Sequence, residues 1–345
     1  MNAPHQDQAE RERTRSAADA FLALRDSQAR PALPQLRQAG AKLRIPHGQA
    51  AFARRLAVGM MRLSPAMTDA GWRRLNAGLY LMSRRRFATL CTGDRLQVDL
   101  LDFIGSRLFH FGVWEPNITA VIMDTLRPGD VFCDVGANIG YYTVLASRLV
   151  GPGGHVVAVE PSPAALRVLR DNIALNGLTN VRVVPAAVAA ERGRLALYAP
   201  SFGNAGTTST VARDGRSLQA EVDALRLAQI LTRDELARLR LVKIDVEGGE
   251  GAVLASILQD LAAFSFGTDV LAELSVDAAL PGAADANDLV ARFNAAGFRS
   301  SAIANSYEIR SYLEFRAPMP PQDLRLPITA QMDVLFSRRS RAGGE

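Results

Sequence analysis

The stretch Val131 to Thr143, VFCDVGANIGYYT, constrains this chain more than any other. An apolar run ends on an acid, two glycines bracket a short turn, and helix-like spacing continues through Leu145 and Leu149. A strand that stops, turns tightly and enters a helix is the nucleotide-facing corner of an open α/β sheet. Asp134, Gly136 and Gly140 mark that corner. Gly136 is expected to take a backbone conformation closed to other residues and, lacking a Cβ, to let a ligand approach. A second β-branched run, Val156 to Val159, ends in Glu160-Pro161, 24 residues beyond Gly136. Such folds place a ribose-binding acid at about that spacing. One carboxylate accepts both ribose hydroxyls, and Pro161 stops the strand.

The turn lacks the three glycines of G-x-G-x-x-G, which let a pyrophosphate sit on a helix N-terminus. Asp134 and Asn138 stand where that anion cradle would be. An acid beside the loop repels phosphate and suits a ligand carrying an ammonium and a sulfonium, S-adenosylmethionine (SAM). On this reading Asp134 faces the methionine end, Gly136 and Asn138 hold it through backbone groups, and Glu160 takes the ribose. Backbone near Ala187 meets the adenine, with no side-chain partner identifiable. The rival is a dinucleotide site, hence a nicotinamide-dependent oxidoreductase.

Taken together, DVGANIGYYT, VVAVEPSP, the helix carrying Asn172 and Asn176-Gly177, and LVKIDVEGGE resemble the FkbM-type SAM-dependent methyltransferases. The resemblance covers roughly residues 94–336. It implies a class I methyltransferase (Rossmann-like) α/β fold with a seven-stranded, mostly parallel sheet, SAM as methyl donor, and a hydroxyl of a sugar, polyketide or related small metabolite as acceptor. Fold membership does not select among acceptors.

Methyl transfer to an alcohol requires alignment and a general base within hydrogen-bond reach of the acceptor. Asp245 and Glu247, at and just past the end of the strand Leu241 to Asp245, are the candidate catalytic residues. Glu250, Glu273 near the end of the strand Val270 to Leu274, and Glu115 in WEPN are candidates for lining the acceptor pocket. For Glu247 and Glu250 the competing role is to stabilise a helix N-terminus. Lys243 is expected to pair with one of these acids. A magnesium site on Asp245 and Glu247 lacks a third ligand, so no metal is expected. The histidines, His5, His47, His110 and His155, follow no parallel strand and supply no base.

The rest of the chain frames this domain. Residues 1–45, interrupted by Pro31 and Pro34, read as a mobile or partly helical arm, and residues 46–92 as a helical cap; residues 93–340 carry the methyltransferase domain. Within it Leu96 to Leu101 and Leu108 to Phe111 read as short strands. Alternating strands and helices follow and predict a parallel sheet covered on both faces. Residues 1–90 hold 16 Lys and Arg against 6 Asp and Glu, leaving 24 against 29 beyond. That asymmetry fits either solvated helix faces or contact with an anionic carrier or surface. Nucleic-acid methylation has only this basic segment in its favour: no Pro-Cys dipeptide offers a cytosine-attacking thiol. No apolar run approaches the roughly 20 residues of a membrane span, no secretory signal opens the chain, and Cys91 and Cys133 form no disulfide framework. A cytoplasmic enzyme with a small-molecule acceptor is expected.

Overall fold

A computed structural model describes residues 85–100, 102–200, 216–246, 248–275 and 285–339. The arm expected over residues 1–45, the cap over residues 46–84 and the catalytic candidate Glu247 lie outside the described residues. Residues 85–92, assigned from sequence to the cap, begin the described fold. Strands β1 (Arg85–Thr89) and β2 (Arg95–Asp99) form an antiparallel hairpin that buries Ala88, Leu96 and Val98. Helix α1 (Phe103–Phe111) follows, its first turn capped by the Asp102 carboxylate, which accepts the Gly105 N–H at 2.9 Å. The strand expected at Leu108 to Phe111 is instead the last turn of α1. Leu108 and Phe111, three residues apart, share a buried helix face, and Gly112 at φ 66° ends the helix by donating to the Leu108 carbonyl.

Helix α2 (Pro116–Thr125), β3 (Val131–Val135), α3 (Tyr141–Val150), β4 (His155–Val159), α4 (Pro163–Leu175) and β5 (Val181–Val184) then alternate. Strands β6 (Ala187–Val188), β7 (Gly193–Pro200) and β8 (Arg216–Leu225) make a three-stranded sheet in the order β6-β8-β7. No strand was expected at β8, although Leu218, Ala220, Val222 and Ala224 alternate with polar residues at period two. The chain continues through α5 (Leu227–Ile230), α6 (Arg233–Arg238), β9 (Leu239–Ile244), α7 (Glu250–Gln259), β10 (Asp269–Leu274), α8 (Ala286–Ala295), β11 (Arg299–Ile303), α9 (Ile309–Glu314), β12 (Gln322–Asp323) and β13 (Met332–Ser337).

The main sheet runs β12-β11-β13-β10-β9-β3-β4-β5. Five neighbours, from β10 to β5, pair in parallel, while β13 lies antiparallel between β10 and β11. The α/β sheet expected from sequence is therefore present; among the described residues it has eight strands where seven were expected, one of them the two-residue edge strand β12. Both faces are buried. Phe132, Val156, Leu241 and Leu271 pack into one apolar layer, and Val131, Cys133, Val157, Val242 and Val270 into the other, as continuous apolar runs in parallel strands require. After β3 the chain builds β4 and β5 on one side, then returns to place β9 on the other. That reversal opens a crevice at the carboxyl ends of β3 and β9.

Candidate active site

The acids expected at one rim do collect there. Asp134 is the fourth residue of β3, Glu160 directly follows β4, and Asp245 directly follows β9. Beside them opens a cavity of about 390 Å³ whose wall includes Gly136, Ala137, Asn138, Glu160, Ala187, Lys243 and Asp245. Its size lies in the range of small-ligand pockets.

Glu160 sits in the wall and is 6% exposed. Its Oε2 accepts the Asn138 N–H at 2.8 Å and its Oε1 the Ser162 N–H at 2.8 Å. Each oxygen keeps a second lone pair, so the carboxylate is aimed yet still able to accept two hydroxyls. Burial pushes its pKa up to about 7, against the lowering effect of those two N–H donors.

The glycine loop departs from expectation in two ways. Gly136 has φ 82°, as predicted, but a Cβ there would overlap the Asp245 carbonyl, so the space its hydrogen leaves is filled by the end of β9 rather than by a ligand. The Gly136 and Ala137 N–H groups donate to the Val159 carbonyl at 2.9 and 3.1 Å, and that of Asn138 to Glu160. The amides of Gly136 and Asn138 are thus spent inside the protein. Asn138 itself is left-handed, with φ 49°, and Gly140, at φ 92°, caps α3 without lining the cavity.

Asp134 lies beneath the loop and outside the cavity wall, correcting its expected place against the ligand. It is 1% exposed; its Oδ2 accepts the Thr143 hydroxyl at 2.6 Å, and its Oδ1 has no hydrogen-bond partner. Burial raises its pKa, and the nearby Lys243 ammonium opposes the shift. Lys243 stands opposite Asp134 in the β3–β9 register.

In the cavity wall Lys243 Nζ donates to Asp245 Oδ2 at 2.9 Å, the ion pair foreseen from sequence. Asp245 lines the cavity with its side chain one third exposed. Glu250 does not line the cavity. Its carboxylate accepts the N–H groups of Val246 and Gly248 at 3.1–3.2 Å and folds the loop back onto the start of α7.

Glu115 is 3% exposed, in a left-handed conformation with φ 43°, and lies outside the cavity wall. It accepts the Tyr142 hydroxyl at 2.6 Å and the Asn305 amide at 2.9 Å. Burial raises its pKa, while Lys243 lowers it. Asn305 also donates to Asp333 at 2.9 Å, and Asp333 opposes Glu273 in the β10–β13 register. Glu273 in turn accepts the Tyr307 hydroxyl at 2.8 Å.

The aromatic side of the site was not read from the sequence. Trp114 and Tyr142 line the cavity, and Tyr307 stacks on Trp114 with ring centroids 5.5 Å apart. The doublet Tyr141-Tyr142, directly after the glycine loop, was the available signal. Leu195 and Leu197 of β7 line the cavity near Ala186, Ala187 and Val188, giving that end an apolar wall. No cluster of three metal-ligating side chains occurs among the described residues, and none of their helices is long and apolar enough to cross a membrane.

Residues 134–300 match the model of the methyltransferase FkbM domain. Over 38% of its length the chain is 32% identical to 31-O-demethyl-FK506 methyltransferase FkbM of Streptomyces tacrolimicus, and the match covers 61% of that protein. A shorter stretch, 16% of the chain, is 38% identical to an arsenite methyltransferase of Halobacterium salinarum and covers 14% of it. The chain thus spans less than two thirds of these relatives. Among solved structures, precorrin-6y C5,15-methyltransferase from Geobacter metallireducens overlaps 66% of this chain and 90% of its own, with 14% identity and a TM-score of 0.37.

Proposed function

Because the chain belongs, through residues 134–300, to the methyltransferase FkbM family, we propose that it transfers the methyl group of SAM to a hydroxyl of a small metabolite. The observation that carries this reading is the buried Glu160 carboxylate in the cavity wall, fixed by two backbone N–H groups and retaining a lone pair on each oxygen for a ribose. The spent amides of Gly136, Ala137 and Asn138 support it too. A pyrophosphate needs those donors, and they are already engaged. The apolar end near Ala187, Leu195 and Leu197 suits an adenine.

When bound, SAM supplies a methyl carbon already activated by its sulfonium. The residues of this chain then have two tasks. Glu160 and the loop fix the donor, and Asp245 takes the proton of the acceptor hydroxyl as general base. Glu273 and Glu115 support the acceptor side, Glu115 through Tyr142, which it holds by a 2.6 Å hydrogen bond. Glu247 remains a second candidate base on its sequence position alone.

Calorimetry checks the donor: SAM binds, NAD does not, and the reverse result overturns the reading. A screen of hydroxylated acceptors with methyl-labelled SAM identifies the substrate by which product gains label. On that substrate Asp245→Asn is expected to lower kcat roughly 10²- to 10⁴-fold, the usual worth of a general base, with SAM affinity unchanged. Full turnover by this variant removes Asp245 from the role.

A further inference from the structure

Lys243 has hydrogen-bonding capacity that its surroundings do not use. Of the 40 basic residues in the chain only Lys42 and Lys243 are lysines. Against that background a lysine on a central strand marks a place for a compact ammonium rather than a planar guanidinium. Its side chain is 5% exposed, and an ammonium offers three N–H donors. One donates to Asp245 Oδ2 at 2.9 Å, and the Tyr142 ring covers another side with its centroid 4.6 Å from Nζ. Among the described residues Nζ makes no further hydrogen bond, and Lys243 lines the cavity. Leaving a buried ammonium short of acceptors is costly, so the missing partner belongs to whatever fills the cavity beside Asp245.

We propose that Lys243 is a catalytic residue that donates a hydrogen bond to the acceptor oxygen, holding it beside Asp245 and stabilising the negative charge that grows there as the proton leaves. The assignment rests on the methyltransferase reading. The acceptor oxygen loses its proton to Asp245 while gaining the methyl group, the broken S–CH3 bond leaves its electron pair on sulfur, and Lys243 keeps all three protons. Asp245 Oδ1 has no hydrogen bond among the described residues and is available for that proton. Lys243 acts as donor rather than base. Burial would ease its deprotonation, but the carboxylates of Asp245, Glu115 and Asp134 outweigh this and hold its pKa above the ordinary amine range. Fixed charge aimed at a developing oxyanion in a water-poor site is a large source of catalysis.

The test uses p-nitrophenol, an acidic hydroxyl on a flat ring whose phenolate is read by absorbance, with S-adenosylhomocysteine occupying the donor end. At a fixed, mildly acidic pH the wild-type protein is expected to raise the bound phenolate-to-phenol ratio about tenfold, equivalent to one pKa unit. Lys243→Met is expected to bind S-adenosylhomocysteine with unchanged affinity and to give no gain in phenolate. An equal gain in that variant, or no gain with the wild type, overturns the proposal. Failure of the wild type to bind S-adenosylhomocysteine at all overturns the methyltransferase reading instead. Should Lys243→Met not fold, the wild type labelled with ¹⁵N-lysine gives the same answer: only two ammonium signals exist, Lys42→Arg assigns them, and p-nitrophenol must move that of Lys243. An unmoved signal overturns the proposal.

Discussion

Glu160 links a titration to a binding event. Its carboxyl is pushed up to about 7 by burial, so near neutrality it is partly protonated without ligand. A protonated carboxyl loses acceptor capacity for two ribose hydroxyls. SAM affinity is therefore expected to weaken as pH falls below about 7, by up to about tenfold per unit, and to be nearly pH-independent over that range in Glu160→Gln, which should also bind more weakly throughout. Calorimetric titrations at several pH values check this; a flat wild-type profile contradicts it. Glu160 was legible because an acid directly after an apolar, β-branched run has few uses other than at a strand end. The fate of Asp134 was not legible. The same pattern fits an acid facing a ligand and an acid folded under the loop onto Thr143, and only the start of α3 decides between them.

Asn172 in α4 and Asn176, the residue that caps its end, attach the hairpin to that helix. Asn172 is fully buried; its side chain accepts the Gln97 N–H at 2.7 Å and donates to the Ile139 carbonyl at 2.8 Å, while Asn176 pairs with both backbone groups of Arg95. Their amides imitate a neighbouring strand along β2 and brace the glycine loop from below. Asn172→Ala leaves buried backbone groups unpaired and is expected to cost roughly 2–4 kcal/mol, read from the urea midpoint. A loss below half of that range would show that water replaces the amide. The four-residue run Leu108 to Phe111 was misread as a strand because short apolar runs carry no distinguishing period. The Asp102 cap and Gly112 stop that frame it depend on backbone angles. Strand β8 had the opposite problem: its alternation is visible, but its pairing with β7 spans residues far apart in sequence.

Across the molecule, burial raises the pKa of several acids: Glu115, Asp134, Glu160, Glu250 and Asp333. A raised folded-state pKa means the folded protein holds its proton where the unfolded chain has lost it. Each such acid therefore adds stability at low pH that declines as pH rises from its unfolded value, near 4, through its folded value. His110, pushed down to about 4 by burial and by Arg107, acts oppositely and costs stability as pH falls below about 6.5. Ligand-free protein is thus expected to have its highest Tm on the acid side of neutrality and a lower Tm at pH 8, a difference that SAM reduces. Scanning calorimetry with a Tm rising steadily to pH 8 would contradict this. The sequence by itself determined the alternation of strands and helices and the acids at the strand ends, because these follow from periodicity and from residues adjacent in the chain. Tertiary structure alone decided which acids face the cavity, that the loop amides are already used, that Asn305 joins Glu115 to Asp333, and that Lys243 Nζ makes one hydrogen bond among the described residues. Those outcomes depend on groups from different elements, up to the 190 residues that separate Glu115 from Asn305, meeting in a buried interior where every unpaired polar group is costly, and no local pattern records which partners they find.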